Sequence, residues 1–80
     1  MPERIVRLPE VRMLMGISRS SIYQKIREGT IPPPVALGSR SIGWPLSEIV
    51  AVNSGRIRGC SAEEICGLVA RLVAARRTGA

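Results

Sequence analysis

Residues 16–29 read GISRSSIYQKIREG, two glycines bracketing a segment whose apolar residues Ile22 and Ile26 recur four apart. That spacing is helical. Ser18 suits the N-cap, because its hydroxyl can accept an N–H left free in the first helical turn. Gly29 suits the left-handed residue that stops a helix. Ile17, just before the cap, and Ile22, at the fourth helical position, are spaced as a hydrophobic staple that sets the direction in which the chain enters the helix. The expected helix runs from Arg19 to Glu28. At about 100° per residue, Ser20, Gln24 and Arg27 point away from the Ile22 and Ile26 face, and Tyr23 lies on the flank.

The outward face is polar and thin in acids, and its N-terminal end carries Arg19, Ser20 and Ser21. A helix N-terminus has partial positive charge and unsatisfied N–H groups, so hydroxyls and an arginine there suit a phosphate backbone. An ordinary solvated face is the competing reading. What flanks the helix decides between them.

Upstream, RLPEVRMLMG has Pro9 suited to a first helical position, Val11 and Leu14 three apart, and Gly16 placed to end the helix. It predicts a short helix of about seven residues. Two helices joined by a tight Gly-containing turn form a helix-turn-helix. Downstream, Pro32, Pro33 and Pro34 exclude a helix. Val35 and Leu37 then alternate, Gly38-Ser39-Arg40-Ser41 turns, and Ile42 alternates with Trp44. This predicts a hairpin with a basic tip, a wing. Trp44 is expected to pack against the helices rather than to stack on a base, since few large side chains are available for the core.

From Pro45 a third helix is expected, with Leu46, Ile49 and Val52 or Asn53 on one side, fraying around Gly55 and ended by Gly59. A capping box then opens a fourth: Ser61 as N-cap, Glu64 three residues later, and Cys60 with Ile65 as staple. Its apolar stripe is Ile65, Leu68, Val69, Leu72 and Val73, and Arg76 and Arg77 complement the C-terminal dipole. The stripe can pack back on the domain or form a dimer seam. Residues 1–58 are thus expected to be a DNA-binding domain, and 59–80 an amphipathic helix that packs on it or mediates self-association.

Composition narrows the chemistry. The chain has 80 residues, 12 Lys and Arg against 6 acids, and a net charge of +6. That balance points to polyanions, nucleic acid first and an anionic membrane surface second, with a solubilising charge as the plain alternative. There is no His, and all six acids are Glu. No glycine-rich phosphate loop is followed by Lys, so general acid–base or nucleophilic catalysis lacks players and no catalytic residue is expected. Cys60 and Cys66, with no His or Asp nearby, predict structural thiols in a reducing compartment; no metal site or cofactor is expected. The first ten residues, MPERIVRLPE, carry no signal-peptide apolar run, and no segment approaches a membrane span. A cytoplasmic protein is expected.

Leu8-Pro9-Glu10-Val11, Gly16, Ser18-Arg19-Ser20-Ser21-Ile22-Tyr23, Ile26, Gly29, Pro32, Pro34-Val35, Leu37-Gly38, Arg40 and Trp44 together resemble the AlpA-type prophage regulators, which belong with the excisionase and MerR-like winged-helix DNA-binding domains. The resemblance covers roughly residues 4–52. Ser21 stands where threonine is usual, Ile31 where an aromatic is common, and Val52 where a second tryptophan often follows the acidic residue matched by Glu48. The resemblance implies DNA binding, a transcriptional role, or control of prophage or genomic-island excision. Ser18 through Tyr23 would open the recognition helix, and Gly38 to Arg40 would turn the wing.

The expectation is therefore a mainly α fold with a small β-hairpin: a winged helix-turn-helix with an extra C-terminal helix. Its DNA-binding residues are Ser18, Arg19, Ser20, Ser21, Tyr23, Gln24, Arg27, Ser39 and Arg40. The expected partner is double-stranded DNA, with a homodimer or cooperative assembly on it and RNA polymerase or an integrase as neighbours. Two alternatives stay open: an excisionase-like factor that bends attachment-site DNA, and a protein-binding adaptor that uses the C-terminal helix.

Overall fold

A computed structural model of the chain describes residues 3–78. The ends of the two expected segments, residues 1, 2, 79 and 80, lie outside the described residues. The elements are β1 (Ile5–Val6), α1 (Leu8–Met15), α2 (Arg19–Glu28), β2 (Val35–Ala36), β3 (Ile42–Pro45), α3 (Leu46–Ile57) and α4 (Ala62–Thr78).

The helix-turn-helix forms from local signals. Pro9 lies in the first turn of α1, where its missing N–H costs no hydrogen bond. Gly16 ends that helix at φ 69°, its N–H donating to Arg12 O, a backbone state that side chains with a Cβ resist. Ser18 Oγ accepts from Ser21 N–H at 3.2 Å, which caps α2. Gly29 closes α2 at φ 84°, and Thr30 N–H reaches back to Lys25 O. The expected bounds of α2 are those observed.

The hairpin acquires a third strand. β3 is central, pairing antiparallel with β2 at Val35↔Gly43 and Ala36↔Ile42 and with β1 at Ile5↔Pro45 and Val6↔Trp44. β1 has no periodicity to read because it is only two residues long. The two residues just before it also start α3: the N-cap, Pro45, has no capping side chain, and Leu46 N–H and Ser47 N–H donate instead to Arg4 O and the Glu3 carboxylate.

Two apolar clusters make the core. Val6, Val11, Ile22, Ile31, Trp44 and Ile49 form the first, with Ile17 packed against it as the staple requires. Trp44 is fully buried, and its Nε1–H donates to Pro32 O at 2.8 Å. It is a core residue, as expected of a chain with so few rings. Val52, Ile65 and Val69 form the second cluster, between α3 and α4. The capping box is complete: Glu64 N–H donates to Ser61 Oγ at 3.2 Å, and Ser61 N–H donates to Glu64 Oε1 at 2.8 Å.

Two local expectations change. Gly55 does not fray α3; the helix continues to Ile57, and Gly55 is buried where a Cβ would come 2.8 Å from Ile65 Cδ1. Its bareness lets α4 approach. Arg76 does more than face a helix dipole: it makes an ion pair with the buried Glu48.

Candidate nucleic-acid interface

The outer surface of α2 carries two rows at i, i+4 spacing, Arg19-Tyr23-Arg27 and Ser20-Gln24-Glu28. Ile22 on the inner side is fully buried, so the rotation of the helix is fixed by the core. Arg19, Ser20, Gln24, Arg27 and Glu28 are exposed, and Tyr23 and Ser21 are half-buried. The guanidinium of Arg19 lies 5.7 Å from the Tyr23 ring centroid, a cation–π distance that holds both side chains over the first turn of the helix. Gln24 Nε2–H donates to Glu28 Oε2 at 3.1 Å. Ser18 is engaged twice, capping Ser21 N–H and donating its hydroxyl to Ser21 Oγ at 3.1 Å.

The wing tip is built from the turn between β2 and β3. Leu37 N–H donates to Ser41 O at 2.8 Å, which closes the turn. Gly38, Ser39 and Arg40 inside it are exposed. Trp44 of β3 and Ile22 of α2 share one apolar cluster, so the hairpin that carries Ser39 and Arg40 is joined to α2 through the core.

The acids are mostly occupied elsewhere. Glu10 pairs with Arg4 at 2.8 Å and Glu48 with Arg76 at 2.6 Å, while Glu3 accepts from Ser47. The side chain of Glu64 is tied into its cap, and the hydrogen bonds from the backbone and the hydroxyl of Ser61 hold its carboxyl below the ordinary value. Among the described residues those are the two ion pairs. The guanidinium groups of Arg27 and Arg40 have no partner among those residues, so the net positive charge is expressed partly on the outer face of α2 and on the wing.

Sequence reasoning missed Glu28 as the partner of Gln24, although their i, i+4 spacing is the signal that reveals it. No helix among the described residues is long and apolar enough to cross a membrane. Among the same residues no group of three or more Cys, His or acidic side chains could hold a metal ion. Cys60 and Cys66 are free thiols.

Four helices, a three-stranded antiparallel sheet and a turn between β2 and β3 define a winged helix-turn-helix protein with an additional C-terminal helix. Residues 4–51 match the family of the prophage CP4-57 regulatory protein (AlpA), and the chain belongs to that family. It is also similar to the "Uncharacterized protein ORF88" of Enterobacteria phage P4, 51% identical over 57 residues that make up 71% of this chain. The match takes in 65% of that phage protein's length. No solved structure matches the chain.

Proposed function

We propose that the chain binds specific sites in double-stranded DNA and regulates prophage or mobile-element genes. The observation that carries the reading is the outer face of α2: polar, exposed, armed with Arg19, Gln24 and Arg27, and held in rotation by a buried Ile22. In this reading α2 enters the major groove. The hydroxyls of Ser20 and Ser21, the helix N-terminus that Ser18 caps and the guanidinium of Arg19 meet phosphates, Gln24 reads a base edge, Tyr23 packs along the groove wall, and Arg27 drifts to the backbone. Ser39 and Arg40 of the wing meet phosphate or the minor groove. A second copy on DNA, and RNA polymerase or an integrase beside it, are the further partners.

The adaptor alternative needs the apolar stripe of α4, and Ile65 and Val69 from that stripe are buried against Val52. Salt dependence tests the DNA reading directly. Contact with about four to six phosphates costs on the order of 10² to 10³ in affinity between roughly 50 and 200 mM salt, whereas an apolar interface barely responds. Footprinting across the genomic neighbourhood then separates the two roles: protection over a promoter supports a transcriptional regulator, and protection over an attachment site supports an excision factor. Binding that is absent, or insensitive to salt, rejects the DNA reading.

A further inference from the structure

Residues 32–34 are three consecutive prolines, and proline has no backbone N–H. The backbone of these three residues, which lead from α2 into the wing, can therefore be hydrogen-bonded only at its carbonyl oxygens, by donors from elsewhere. Two such donors are present. The Trp44 indole, on β3, donates to Pro32 O at 2.8 Å. The Arg76 guanidinium, on α4, donates through Nη2 to Pro33 O at 2.8 Å.

Arg76 is itself fixed from a third side. Its Nε–H donates to Glu48 Oε2 at 2.8 Å and its Nη2–H to Glu48 Oε1 at 2.6 Å, a two-point grip on a buried carboxylate of α3. A planar guanidinium can hold a carboxylate on one edge while turning another N–H to a carbonyl; a lysine ammonium has no such fork. One side chain thus ties α3, α4 and the stem of the wing together.

Beyond that stem the wing is lightly built. β2 has two residues, pairs with β3 at two positions and ends in an exposed turn. So short a ribbon takes its direction from where its stem is pinned. We infer that Arg76 is a positioning residue for the wing, aiming Arg40 relative to α2, and that the C-terminal helix is part of the DNA-reading apparatus although it lies beyond the residues that match the family. The inference rests on the DNA-binding reading and adds to it a dependence on α4.

The test is a coupling measurement between Arg76 and Arg40. Removing Arg76 alone would leave Glu48 buried and uncompensated, so Glu48→Met and Arg76→Met are made together, a change that a folded core tolerates. Arg76→Lys is the second background, keeping the charge but losing the fork; it carries the test if circular dichroism finds the paired variant unfolded. Arg40→Ala is introduced into the parent and into each background. Affinity for a short random-sequence duplex is then followed from roughly 50 to 200 mM salt.

In the parent, Arg40→Ala is expected to lower the slope of log affinity against log salt by about one unit. In both backgrounds it is expected to change the slope little, because the wing no longer delivers Arg40. An equal loss in all three proteins overturns the positioning role and leaves the DNA reading standing. No loss in the parent overturns the wing contact, and the inference with it. Absence of salt-dependent binding by the parent overturns the DNA reading itself.

Discussion

Gln24 lies one helical turn from Ser20 on the side of α2 away from Ile22, with its Nε2 donating to Glu28. One amide hydrogen and Oε1 remain available, which is the pair a glutamine uses against N7 and N6 of adenine, worth about 1 to 3 kcal/mol of discrimination. Glu28 thereby orients the amide before contact. On the DNA reading, Gln24→Ala is expected to relax base preference at one or two positions of each half-site while affinity for random duplex and thermal stability stay nearly constant. Binding-site selection with the variant checks this, and unchanged preference would move base reading to Ser20 and Tyr23. Gly43 makes a different prediction. A Cβ there would come 2.6 Å from Ile5 Cγ2 and 3.1 Å from Val6 O. The carbonyl cannot retreat without loosening the β1–β3 pairing, so Gly43→Ala is expected to destabilise by about 1 to 3 kcal/mol, seen as a lower Tm. An unchanged Tm would mean that β1 is free to move. The outward placement of Gln24 was legible because a four-residue spacing to Ser20 defines a face. The closeness of Gly43 to β1 was not, because it depends on a strand 38 residues earlier in the chain.

At the scale of elements, the same division holds between local and distant causes. The caps at Ser18 and Ser61, the stops at Gly16 and Gly29 and the bounds of α2 were readable, since each is an interaction within about one turn whose partners are fixed by spacing. β1, the continuation of α3 through Gly55 and the Glu48–Arg76 pair were not readable in that way, because each needs a neighbour that only the folded chain supplies. Glu48 and Arg76 are 28 residues apart. The N-terminal cap of α4 offers a pH prediction with a definite sign. Hydrogen bonds from Ser61 lower the Glu64 pKa in the folded state. A group whose folded pKa is depressed contributes stability that is present above its unfolded value, about 4.3 for a glutamate, and that is lost as pH falls through the lower folded value. Glu64→Gln is therefore expected to lower Tm near neutral pH and to flatten the fall in Tm on acidification. Parallel melting curves of the two proteins from neutral pH into the acid range check it, and identical pH profiles would remove Glu64 from the cap's energetics.

At the scale of the whole molecule, the question is how so small a reader finds a unique site. One recognition helix and a wing span only a few base pairs, less than a genome demands, so useful specificity requires two copies on neighbouring half-sites. A permanent dimer would need a large apolar seam. The stripe best suited to it is used inside the chain: Ile65 and Val69 of α4 are buried against Val52, and Leu72 and Val73 pack on the same cluster. Among the described residues the large apolar side chains left exposed are Ile5, Met13, Leu14, Leu37, Val50 and Ile57, divided among β1, α1, the wing turn and α3, whereas a stable interface buries roughly 1,200 Å² or more around an apolar centre. The expected outcome is a monomer in free solution at micromolar concentration and paired occupancy on DNA, with repeated half-sites appearing in the footprint. Light scattering with and without a duplex carrying the protected region measures both states. A stable dimer without DNA would overturn the expectation, and an Ile57→Glu variant, which alters an exposed position and leaves both clusters intact, would then show whether the outer face of α3 is the seam.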